Sequence, residues 1–170
     1  LVRIKAIKGE FALSPDLTSQ DIHLLKGFQL LRPDGKRDLL DYLRFIAQKQ
    51  YHAELSSQVL NNPILYNGLL QAARMCEREE TRVEDILQKV GQLKYMYYQL
   101  LEKISTKYNE VLDDINLEDI IRDWGRIGFE NINEAAKTGQ KDLMLRELDE
   151  MIEGLEGLAK KGGKKRIIAV

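Results

Sequence analysis

Apolar residues recur every three or four positions along most of this chain, with polar residues filling the gaps. That spacing predicts amphipathic helices, because 3.6 residues per turn return a side chain to the same face. Six helical segments can be bracketed by their start and stop chemistry. Thr18 with Asp21 makes a cap pair for "SQDIHLLKGFQLL", which ends at "RPDG", where Pro33 and Gly35 predict a turn. Asp34 is then expected to cap a second helix that carries Leu39, Leu40, Leu43, Ile46 and Ala47 on one face and reaches toward Leu60. Asn62 suits the cap, and Pro63 the first position, of a third helix over 63–79. Thr81 and Glu84 have capping-box spacing and predict a break, against the competing reading of one helix running on from Pro63. The fourth helix, about 82–115, is the longest, on the order of 50 Å. Asn116 with Asp119 caps a fifth, Gly139 stops it in a left-handed turn, and a sixth covers about 140–161.

The expected fold is therefore all-α: an elongated bundle of five or six helices around the central helix at 82–115. The helical domain runs over 18–161. Residues 1–17 form an arm that is either strand or disordered, and 162–170 a basic tail. Composition agrees. Leu, Glu, Lys, Gln and Arg dominate, and only three prolines occur. With 44% hydrophobic and 31% charged residues, the chain has the make-up of a globular protein rich in charged helices.

The stretch "QLKYMYYQLLEKI" raises the sharpest question, since it sets three tyrosines within four positions. Val83, Ile86, Val90, Leu93, Tyr97, Leu101, Ile104, Tyr108, Val111 and Ile115 share one stripe, with Leu87, Leu100 and Leu112 beside it. Tyr97 lies at its centre, Met96 and Tyr98 flank it, and Tyr95 points nearly opposite. A nucleic-acid stacking platform needs several aromatics on one face beside cations. Here the rings fan around the helix and only Lys94 is adjacent, so they are expected to fill a helix–helix seam. A seam this long invites a second copy of the chain. Tyr95, Met96, Tyr98 and Leu112 are the interface candidates, for a homodimer or another helical protein.

Charge and motifs exclude more than they assign. The net charge of −1 recruits neither DNA nor an anionic membrane as a whole. No run of about 18 apolar residues offers a membrane span. The lone cysteine, Cys76, rules out an internal disulfide and favours a reducing, cytoplasmic setting; beside Ala72, Ala73 and Met75 it reads as a buried thiol. A start at Leu1 rather than Met, without an apolar leader, fits a chain trimmed or cut from a longer one. His23 and His52 are far apart and belong to no H-E-x-x-H or Glu-x-x-His pattern, so no metal and no cofactor is expected. No nucleophile elbow and no phosphate-binding glycine loop occurs. The acidic runs "DDINLED" and "RELDEMIEG" alternate with apolar residues as solvated helix faces do. The chain is thus expected not to be an enzyme. Lys160, Lys161, Lys164, Lys165 and Arg166, with Arg3, Lys5 and Lys8 at the other end, form the possible nucleic-acid contacts; their alternative role is to complement a helix C-terminus. A weaker alternative is a small-ligand pocket near Trp124 and Tyr97.

"LKGFQLLRPDGKRDLLDYLRFIAQKQ", residues 25–50, resembles the helical tail of Xre-type repressor-like bacterial and phage regulators. The matching positions are Phe28, Leu31, Pro33, Lys36, Leu39, Leu40, Tyr42 and Leu43, about one-sixth of the chain. The resemblance implies a packing or oligomerisation element, a bacterial or phage setting, and a regulatory or assembly role. This chain departs from the family in having no recognisable helix-turn-helix before the segment. The expected function is a non-catalytic helical interaction module that self-associates. A nucleic-acid-associated regulator using the basic termini is the alternative.

Overall fold

The computed structural model describes residues 18–112 and 119–163. These are all-α, with no strand among them. The helices are α1 (Ser19–Leu30), α2 (Pro33–Leu55), α3 (Pro63–Glu77), α4 (Val83–Tyr108), α5 (Asp119–Lys137) and α6 (Lys141–Gly163). A five-residue π-helical segment, Ser56–Leu60, extends α2. The expectations for the arm at 1–17 and for residues 164–170 lie outside the described residues. The chain divides into two units, Leu1–Leu43 and Arg44–Val170.

In the first unit, Thr18 and Asp21 form a full capping box: the Thr18 hydroxyl accepts from the Asp21 N–H, and the Asp21 carboxylate accepts from the Thr18 N–H at 2.8 Å. The turn at "RPDG" is tighter than expected. Leu31 and Arg32 alone connect the helices, and α2 begins at Pro33 itself. Proline tolerates that first position because its missing N–H would have had no partner there. Asp34 does not cap α2; it sits in the first turn and pairs with Arg37, while Gly35 lies inside the helix against Leu31. Lys36 reaches over the Phe28 ring, 5.6 Å from its centroid.

The second unit is built on four helices. α3 packs on α4, α4 on α5, α5 on α6, and α6 closes back on α3. The contacts run in opposite sequence directions in α5–α6, in α4–α5, where Arg122 also bonds Ser105, and in α3–α6, where Lys141 also bonds the Arg78 carbonyl. Gly68 meets Leu93, Gly125 meets Tyr97, Gly128 meets Met151, Gly154 meets Trp124, and Tyr66 bonds Glu156. This is up-down-up-down order, the natural outcome of short connections between amphipathic helices. The core is the stripe foreseen on α4 (Ile86, Val90, Leu93, Tyr97, Leu101, Ile104 and Tyr108), joined by Leu65 and Leu69, by Phe129 and Ile132, and by Met144, Leu148 and Leu155. Each such side chain contributes roughly 1.5–3 kcal/mol on burial, so the α4 stripe is a principal source of cohesion.

The helix ends show where local signals prevailed. Asn62 caps α3 through its Oδ1, which accepts from Ile64 N–H at 2.9 Å and Leu65 N–H at 3.1 Å, with Pro63 at the first position. The Asn61 and Asn62 side-chain amides donate to the carbonyls of Ser56 and Gln58, groups in the π-helical turn just before them. Gly139 adopts φ 72° at the end of α5, the left-handed stop that glycine permits. Between α3 and α4 the chain does break, but not by a Thr81–Glu84 box. Arg82 is the N-cap residue and makes no side-chain capping bond; its guanidinium instead binds the Asp85 carboxylate at 3.0 and 3.1 Å. α4 ends at Tyr108 rather than near 115: Val111 and Leu112 turn back onto the Tyr108 carbonyl, and Leu112 packs against the core. The proposed cap at Asn116 lies outside the described residues.

Candidate functional site

The tyrosine cluster separates by helical phase. Tyr97 is fully buried, ringed by Tyr98, Trp124 and Phe129 at centroid distances of 5.2, 5.4 and 5.8 Å. Its hydroxyl donates to the Ile121 carbonyl, and burial pushes its pKa well above the usual phenol value. Trp124 donates its indole N–H to the Met151 carbonyl at 3.1 Å. Tyr97 and Trp124 thus meet edge to face and pack against each other, with Gly125 and Gly154 beneath the two rings.

Of the interface candidates on α4, Met96 and Tyr98 are half-buried against the core of this same chain, as is Leu112 just beyond its end. Partial burial also raises the Tyr98 pKa. Tyr95 alone stands out in solvent, 68% exposed. The structure does not bring the four together as one patch: three serve the intramolecular seam and the fourth points away from it. Tyr98 lines, with Arg122 and Ser105, a surface depression of about 330 Å³ between α4 and α5.

Among the basic residues, Lys160 is exposed and lies 3.7 Å from Glu156 one turn earlier. Lys161 falls in the last turns of α6. Lys164, Lys165 and Arg166 lie outside the described residues, as do Arg3, Lys5 and Lys8. Among the described residues no three His, Cys, Asp or Glu side chains converge as a metal ion would need. Cys76 is buried, and burial pushes its pKa up to about 11. No helix among the described residues is long and apolar enough to cross a membrane.

The most unusual surface lies in the first unit. No residue of α1 is buried, and α2 buries none before Tyr51. Ile22, Leu24, Leu25, Leu30, Leu31, Leu40, Tyr42 and Leu43 are all exposed, with Leu30 at 87% and Tyr42 at 60%. Phe45 and Ile46 are exposed at the start of the second unit; beyond them the exposed large apolar residues there (Ile64, Tyr95, Ile120 and Ile127) stand singly. Scattered apolar residues are ordinary on a protein surface, but a concentration of this kind is not. Charge in the same unit cancels over residues 19–43: Lys26, Arg32, Lys36 and Arg37 stand against Asp21, Asp34, Asp38 and Asp41.

Periodicity flagged α2's apolar face but not its lack of cover. A signal did exist in α1, where Leu24, Leu25, Phe28 and Leu31 share one side while Ile22 and Leu30 fall elsewhere. A helix that is apolar on more than one side needs more than one neighbour.

Compared with protein-family models, curated proteins and solved structures, the chain matches none.

Proposed function

We propose that this protein is a non-catalytic helical interaction module with a regulatory or assembly role, and that its first unit docks onto another helical chain. The observation that carries this reading is the concentration of exposed apolar side chains on α1 and the start of α2. Lone globular chains seldom leave so much apolar surface in water. Leu39, Tyr42, Leu43 and Ile46 recur at helical spacing along α2, the pattern with which an amphipathic helix enters a partner's groove. The regulatory or assembly role draws support from the resemblance of residues 25–50 to the tails of Xre-type regulators. A cytoplasmic location belongs to the same reading, on the ground that the one cysteine is a buried thiol.

Site-specific photo-crosslinking tests the proposal. A photoreactive residue replacing Tyr42 is expected to give discrete protein adducts in cells. The same residue replacing Glu153, exposed on α6, is expected to give few. Equal yields at the two positions would refute the docking role.

A further inference from the structure

We draw no further inference here: the strongest candidate, the surface patch around Tyr42 and Leu43 on α2, is exposed, and nothing in the structure shows what covers it.

Discussion

Gly125 faces the Tyr97 ring so closely that a methyl group on its Cα would fall 2.2 Å from Cε1 and 2.5 Å from Cζ. No real Cβ tolerates that, and the ring has nowhere to go because Trp124 and Phe129 pack against it. A helical glycine costs about 1 kcal/mol relative to alanine, so its presence here marks a site where α5 must approach α4 closely. Gly125→Ala is accordingly expected to destabilise the protein by about 2 kcal/mol net, overpacking outweighing the gain in helix propensity. Urea unfolding measures it. Combined with Tyr97→Leu, the loss should be smaller than the sum of the two single losses; strict additivity would show that the ring and the glycine do not compete for space.

Lys141 joins the two helical hairpins of the bundle. Its ammonium donates to the carbonyls of Arg78 at 2.5 Å, Glu79 at 3.1 Å and Thr81 at 3.0 Å, just past the end of α3. Those carbonyls have no helical partner, and a cation near a helix C-terminus also meets the favourable end of its dipole. Lys141→Met keeps the stem and removes the charge. It is expected to cost about 1–2 kcal/mol and to speed amide exchange over 78–82 before any change in α5. Unaltered exchange in that loop would show that the lysine is ornamental.

Glu54, at the end of α2, accepts from Lys107 and from the Tyr108 hydroxyl at 2.8 Å. These bonds, the lysine's first, hold its carboxyl below the ordinary value of 4.5. A depressed folded-state pKa means stability that is present above 4.5 and lost as pH falls through the lowered folded value. The native chain is therefore expected to lose stability on acidification more steeply than Glu54→Gln, which has no charge to lose. Denaturant titrations at about pH 6 and pH 3.5 compare the two. Parallel pH profiles would show that the contact is not formed in solution.

Cys76 supplies a probe of the whole bundle. It is buried in α3, with its thiol pushed up to about 11 by that burial. Only the thiolate reacts readily, so a neutral alkylating reagent is expected to label the native chain at least about a hundredfold more slowly than the urea-unfolded chain. Labelling should follow global opening, since its neighbours Ala72 and Ala73 belong to the same core. Fast labelling of the native form would place Cys76 at the surface.

Much of the fold was legible because its signals are local. The three- and four-residue spacing from Ile86 to Tyr108 located the buried stripe of α4, and phase alone sorted Tyr97 inward and Tyr95 outward. Asn62–Pro63, Thr18–Asp21 and Gly139 marked helix ends as their cap chemistry requires. The misread ends share one cause. At Asp34 and at Thr81 the right residue types were present, but the cap position falls elsewhere: α2 begins at Pro33, which puts Asp34 inside its first turn, and Arg82 rather than Thr81 stands at the N-cap of α4. The candidate site was less legible still. Tyr98, Met96 and Leu112 carry apolar surface that reads equally well as an interface or as the edge of a core.

Helical period and cap chemistry act within about four residues, so the sequence by itself determined that this chain is all-α, where most helices begin and end, and which face of α4 is greasy. What covers each greasy face is a matter of residues distant along the chain, and only the tertiary structure decided it. It set α3 and α5 against α4, placed Gly125 under Tyr97, and left Leu30 and Tyr42 in water. An apolar stripe states that a partner is needed; its own pattern does not say whether that partner lies in the same chain.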